Sequence, residues 1–312
     1  MLEFSAYQDP RLLKVLEEVY KIKRVELFDT DVLNTATSFY RSCIKKGDIF
    51  NTPFGFYYTP TIQQGQEVAF ADGLHAFSKT HNTNIRIKSF IALDGVAHQV
   101  CANNPIIDLR AAPDYSKNHK QNIKRNTNKC ARNGIEILRS DSLEDLRNFY
   151  NNVLSVMYVD KHKMIFQPWS LYQKLFEAGF FEFFIAKKDD EILGGLLCVK
   201  DNKLLHYNWG ASLNYQNIAL GTVLINHAVE YARENGYAYF DLGATALSDH
   251  DLHDFKMKWG GTNHLVYEHY TLTKPDHIDL NNSYQFARNI YALFPKPFLR
   301  WLMPRVIPWL VQ

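Results

Sequence analysis

The run Asp254-Phe255-Lys256-Met257-Lys258-Trp259-Gly260-Gly261 sets a lysine between two aromatic residues four apart. On a helix Phe255 and Trp259 are i,i+4 partners and turn to the core. Lys256 then projects about 100° away, exposed and facing the open end of a sheet. Asp241 sits near the end of an apolar strand, Tyr237–Leu242, just before Gly243. A carboxylate there can orient or deprotonate an amine, or it can cap the following turn. His206 lies in the strand Leu204–Trp209 and shares a face with Asn208, opposite Tyr207 and Trp209. An imidazole can serve as a base at neutral pH; equally it can be a core histidine satisfied by a neighbour.

Two further features suit anions. Gly221-Thr222 opens a helix after Tyr215-Gln216-Asn217-Ile218-Ala219-Leu220. Backbone N–H groups at such a start converge on a phosphate, and small residues let it approach; the alternative is a plain helix start with a packing glycine. From Lys117 to Arg132 there is no acidic residue, and Lys117, Lys120, Lys124 and Arg125 can share one helical face. That face can hold phosphates of a nucleotide, a tRNA or a lipid-linked donor, or it is a solvated connector. In Asp249–Asp254, His250 and His253 are three apart among carboxylates, but no distant third ligand accompanies them. Acidic residues at a helix start also favour the macrodipole, so no metal is expected. No GxSxG elbow and no Ser-His-Asp order is present, which disfavours a hydrolase.

These residues need elements to carry them. Asp9 and Pro10 start a first helix whose Leu12, Leu13, Leu16, Val19 and Tyr20 share a face. A strand is expected at Val25–Phe28, a helix at Val32–Cys43, a strand at Phe54–Tyr58, a helix at Val68–Ser78, and strands at Ile85–Leu93, Val96–Ala102 and Ile106–Leu109. A basic helix then ends at Gly134. The second half reads as strand, two helices, a three-strand meander, helix, strand, short helix, strand. The meander excludes a doubly wound parallel sheet, which needs a crossover helix between every parallel pair. The sheet is therefore mixed, parallel only where 204–242 crosses over.

The whole chain of 312 residues has room for one large or two ordinary domains. Its 35 basic and 33 acidic side chains leave a net charge of +2, so any anion site must be a local cluster. Cys43, Cys101, Cys130 and Cys198 form no CxxC pair and read as reduced thiols. The start of the chain does not read as a signal peptide, and no stretch of about 18 uncharged apolar residues occurs, so a spanning helix is not expected. The expected location is cytoplasmic, at or near the inner face of the membrane.

The element order, Gly221-Thr222 opening a helix, and EYARENGYAYFDLGAT at 230–245 resemble the GNAT acyltransferase fold. HKQNIKRNTNKCARNGIEI at 119–137, PWSLYQKLFEAGFFEFFIAKKDDEILGGLL at 168–197, FKMKWGG at 255–261 and PFGFYY at 53–58 are similar to its Fem-like branch. The resemblance implies an α/β (α+β) fold of two tandem GNAT-like modules, each a mixed, mostly antiparallel sheet flanked by helices. The corresponding division is 1–114 for the N-terminal module, 115–134 for a basic connector helix, 135–275 for the C-terminal acyltransferase module and 276–312 for a tail.

It also implies an N-acyltransferase acting in cell-envelope or polysaccharide metabolism, with an acyl-CoA-type donor, no tightly bound cofactor and a small or lipid-linked amine acceptor. Lys256 is then the active-site cation that stabilises a tetrahedral oxyanion, with Asp241 or His206 taking the proton. Gln216, Asn217, Ile218, Ala219, Leu220, Gly221 and Thr222 form the CoA loop, although Ala219 stands where CoA-binding relatives carry glycine. Lys120, Lys124, Arg125, Trp209 and Tyr57 are candidate substrate-binding residues. Two other readings stay open: aminoacyl-tRNA-dependent transfer to a peptidoglycan or lipid precursor, and a non-catalytic module at the membrane. The tail bears on both. From Phe286 to Gln312 it has four basic residues, no acid, and Trp301 and Trp309 among apolar neighbours. Pro295, Pro297, Pro304 and Pro308 are expected to break any long helix there, and such a segment suits a membrane surface.

Overall fold

The computed structural model describes residues 9–25, 37–41, 49–51, 60, 62, 64–161, 163, 166–272 and 294–310, with side chains of the last helix described through Arg305. The chain divides into two compact units. The first holds the described residues of 1–103, 264–295 and 305–312, and the second those of 104–263 and 296–304. The helix expected to be a connector therefore belongs to the second unit.

In the first unit, helix α1 (Pro10–Tyr20) begins where Asp9 accepts the Arg11 N–H at 2.8 Å, and it buries Leu12, Leu13, Leu16, Val19 and Tyr20. Strands β1 (Arg24–Val25), β2 (Phe39–Arg41) and β3 (Ile49–Phe50) pair antiparallel in sequence order. β2 falls inside the segment 32–43 expected to be helical. Phe39 and Tyr40 are fully buried, and pairing on both sides outweighs helical spacing. Helix α2 (Glu67–His81) buries Phe70, Leu74 and Phe77 as expected. Strand β4 (Ile85–Ser89) pairs parallel with β3. The expected strand at Phe54–Tyr58 lies outside the described residues.

Strand β5 (Ala97–Asp108) is a single element where two short strands were expected. Asn103-Asn104-Pro105 reads as a break in sequence, but the Asn104 side chain is completely buried and hydrogen-bonded.

The second unit is built from α3 (Lys117–Arg132), β6 (Glu136–Arg139), α4 (Leu143–Phe149), α5 (Trp169–Glu177), β7 (Phe181–Lys188), β8 (Glu191–Lys200), β9 (Leu204–Ser212), α6 (Leu220–Glu234), β10 (Tyr239–Asp241), β11 (Thr245–Ala246) and α7 (His250–Met257). Ser116 caps α3, and Gly134 follows it at a φ of 66°. β6, β7, β8 and β9 form an antiparallel meander; β10 then runs parallel to β9 and antiparallel to residues 106–108 of β5. α6 makes the crossover connection that a parallel pair requires, burying Val223, Leu224, Ala228, Val229 and Ala232 against the sheet.

Two departures from regularity matter for function. After α4 the helix widens into π-helical turns at Tyr150–Leu154 and Met157–Lys161, a device common beside functional sites. β9 carries a bulge: Leu197 faces Trp209 and Cys198 faces Tyr207, which leaves Asn208 as the extra residue. The bulge breaks the expected alternation, so His206 and Trp209 are both buried. Strand β12 (Thr262–Tyr270) and helix α8 (Lys296–Leu310) complete the described chain. α8 forms in spite of its prolines. Pro297 sits in the first turn, where its missing N–H is no loss.

Candidate active site

The parallel pairing of β9 and β10 puts Asp241 opposite His206. His206 Nδ1 lies 2.6 Å from Asp241 Oδ2. The other carboxylate oxygen accepts the Asn104 Nδ2 at 2.9 Å and the Gly243 N–H at 2.7 Å. Asp241 has no exposure and His206 is 3% exposed. Burial by itself would raise the Asp241 carboxyl, but His206, the Gly243 N–H and the Asn104 amide outweigh it and hold the acid below its ordinary range. An ionised carboxylate only accepts, so Nδ1 carries the proton and the ring orientation is set.

Lys256 reaches the same place from α7. Its Nζ donates to the Gly243 carbonyl at 2.8 Å and the Ala244 carbonyl at 3.2 Å. The expectation of an exposed lysine is overturned: Lys256 is 7% exposed. The short helix, capped by Asp249 on the Leu252 N–H, is rolled so that Lys256 lies under the 243–244 turn and Phe255 is only half-buried. Burial pushes the ammonium down to about 8, although the Asp241 and Asp249 carboxylates pull the other way. An ammonium has three donors; two are spent on carbonyls, and the third has no partner among the described residues. Gly243 is required in the turn. Its φ is 78°, and a Cβ there would stand 2.9 Å from the Tyr207 carbonyl.

Tyr207, next to His206, leads into a cleft of about 250 Å³. Tyr207 and Ser212 of β9, Gly221 and Leu224 of α6, and Met157 and Lys161 of the π-helical turn line it. Glycine at 210 lets the tyrosine ring lie over the strand, because a Cβ there would meet its hydroxyl at 2.6 Å.

The loop 216–222 starts α6 as expected, but four of its amides are already engaged. Ile218 donates to the Tyr215 carbonyl at 2.9 Å, Leu220 to Ile218 at 2.9 Å and Thr222 to Ala219 at 3.0 Å. The Ala219 N–H donates to Asn126 Oδ1 of α3 at 3.0 Å. Gln216 and Asn217 hold φ values of 48° and 55° in the left-handed region.

Lys120, Lys124 and Arg125 line the exposed side of α3, whose opposite side buries His119, Ile123, Asn126 and Cys130. Arg125 also donates to Asn122 at 2.7 Å. Trp209, a candidate substrate residue, packs against Tyr172 and Phe181 with ring centroids 5.1 and 5.7 Å away. Tyr57 lies outside the described residues. Among the described residues no three His, Cys, Asp or Glu side chains are grouped to hold a metal, and Cys101, Cys130 and Cys198 are free thiols.

The model of the acetyltransferase (GNAT) domain family matches residues 117–257, a range that contains Asn126, the cleft, the His206–Asp241 pair and Lys256. Residues 117–257 are thus similar to a GNAT domain. Its fold is shared with the C-terminal domain of a protein assigned as a lysylphosphatidylglycerol synthetase from Agrobacterium fabrum, at 13% identity and a TM-score of 0.62, over 86% of this chain and 90% of that one. It is shared also with L-PGS from Bacillus licheniformis, at 15% identity and 0.58, over 88% and 94%. For FemX the values are 13% and 0.61, over 82% and 90%. At these identities the likeness is one of fold. No curated protein matches the chain.

Within the GNAT domain the structure gathers Asp241, His206 and Lys256 into one cluster and sets the loop 216–222 beside α3. Sequence reading missed Asn104, Asn126, Lys161, Tyr207 and Ser212. Nothing local marks them, and Asn103-Asn104-Pro105 itself reads as a break in a strand.

Proposed function

We propose that the GNAT domain performs N-acyl transfer, joining an acyl carbonyl to an amine. The observation that carries this reading is the Lys256 ammonium, fixed by two backbone carbonyls beside the His206–Asp241 pair. An amine attacks the donor carbonyl and a C–N bond forms. The third Lys256 N–H meets the oxyanion that develops. The amine proton passes to His206, directly or through a water, while Asp241 holds the ring. The tetrahedral intermediate then collapses, the C–S or C–O bond to the donor breaks, and the proton ends on the departing thiol or hydroxyl. The acyl group itself lies in the cleft walled by Tyr207, Ser212 and Leu224. The fold shared with FemX and with lysylphosphatidylglycerol synthetases supports an acceptor in the cell envelope.

An acyl-CoA donor is the first reading and a charged tRNA the second. The second draws support from the engaged amides of Ile218, Ala219, Leu220 and Thr222, which leave little of a pyrophosphate cradle at α6, and from the exposed Lys120, Lys124 and Arg125. Thermal-shift measurements with acetyl-CoA, long-chain acyl-CoA and charged tRNA separate them. Stabilisation by a CoA ester supports the first donor and by charged tRNA the second. Stabilisation by none, with no acyl product by mass spectrometry, overturns the enzyme reading in favour of a binding module.

A further inference from the structure

Helix α8 presents aromatic rings where a helix usually presents polar groups. Leu299 is buried, whereas Phe298 and Trp301 are 40% and 53% exposed, their rings stacked with centroids 5.9 Å apart. Lys296 is exposed at the start of the helix, and Arg305 is exposed one turn beyond Trp301. From Phe286 to Gln312 the sequence has four basic residues and no acidic one, and of these Arg300 is paired with Asp160 outside the segment. Among the described residues no helix is long and apolar enough to cross a membrane.

We propose that α8 docks on the surface of an anionic lipid bilayer. Amphipathic rings settle at the headgroup level, and a segment whose every charge is positive is drawn to an anionic leaflet. Charge complementarity selects this occupant. Arg300 is ion-paired with Asp160 and anchors α8 to the π-helical turn whose Met157 and Lys161 line the cleft. Docking through α8 therefore holds that wall of the cleft near lipid, where a lipid-linked acceptor would be within reach. The docking itself does not depend on the proposed acyl transfer.

The test is co-sedimentation of the full chain with vesicles of phosphatidylcholine alone and with vesicles containing about one third phosphatidylglycerol, without any acyl donor. Binding about tenfold stronger to the anionic vesicles is expected, falling steeply as salt screens the charges. The double variant Phe298→Ser, Trp301→Ser and the single variant Lys296→Glu should each lose about tenfold, with melting temperatures like that of the parent. Equal sedimentation with both vesicle types, insensitivity to salt, or full binding by the folded variants overturns the proposal. So does self-association through Phe298 and Trp301 with no vesicle binding. Since no acyl donor is present, failure here leaves the acyl-transfer reading standing.

Discussion

The side chain of Asn126 accepts the N–H of Ala219 at 3.0 Å, across 93 positions of sequence. One N–H of a helix start that sequence alone suggests as a phosphate cradle is thereby taken up by α3. The same amide donates from Nδ2 to the Asn122 carbonyl at 2.8 Å, so its orientation is held at both ends.

Asn126→Ala should therefore cost about 1 kcal/mol, the usual net worth of one hydrogen bond. Asn126→Asp keeps an acceptor and should lose less. Urea denaturation of the two variants checks the order; equal losses would mean that the bond contributes nothing beyond packing.

Lys256→Met removes the cation while keeping the length of the side chain. Turnover should fall about 10²–10³-fold, the typical loss of one oxyanion donor. Because the residue is buried, Lys256→Ala should in addition lower stability by leaving a cavity, a consequence an exposed lysine would not have. Steady-state kinetics alongside thermal melts distinguish the two variants.

The pH dependence of Lys256 has a definite sign. Its folded value of about 8 lies below the ordinary 10.5. Activity that needs the ammonium should fall as pH rises through about 8. Between about 8 and 10.5 the unfolded chain binds the extra proton, so this group makes stability rise with pH over that window. Activity and stability should thus move in opposite directions there, and Lys256→Met should abolish this contribution to both trends. A pH–rate profile and melts over the same range read it.

Asp241 acts at the other end of the scale. Its folded value lies below 3.8, so its stabilisation is complete above that value and is lost as pH falls through the folded one. Asp241→Asn should cost about 1–3 kcal/mol at neutral pH, because an amide cannot accept all the buried hydrogen bonds that the carboxylate accepts, and should flatten the acid limb of the stability curve. Acid titrations followed by circular dichroism test this.

Trp209→Ala and Trp259→Ala should each cost about 3–5 kcal/mol, because both rings are core. Trp259 is fully buried, with the Tyr115 and His119 rings at 5.6 and 4.6 Å. A Trp209 variant that melts like the parent but shows a raised KM would return that residue to the substrate site.

Much of this arrangement is legible in the sequence. The apolar stripes of α1, α2 and α6, the cap at Asp9, and the meander 181–212 are local patterns, and local patterns decide local structure. The resemblance of 119–137, 168–197 and 255–261 to Fem-like proteins carries the fold, and the matched GNAT region spans most of those residues.

What needed the tertiary structure is where polar atoms find partners. Helical periodicity placed Lys256 off the core side of α7, but the turn at Gly243 and Ala244 folds over it and buries it. Strand alternation misassigned the environment of Trp209, because one extra residue at 208 changes which neighbours face the core. The filled amide at Ala219 and the clamp of Asn104 on Asp241 each join residues more than 90 positions apart. Spacing along one element carries no information about a partner on another. Only packing brings such groups within hydrogen-bonding distance, and at that distance burial makes the bond count.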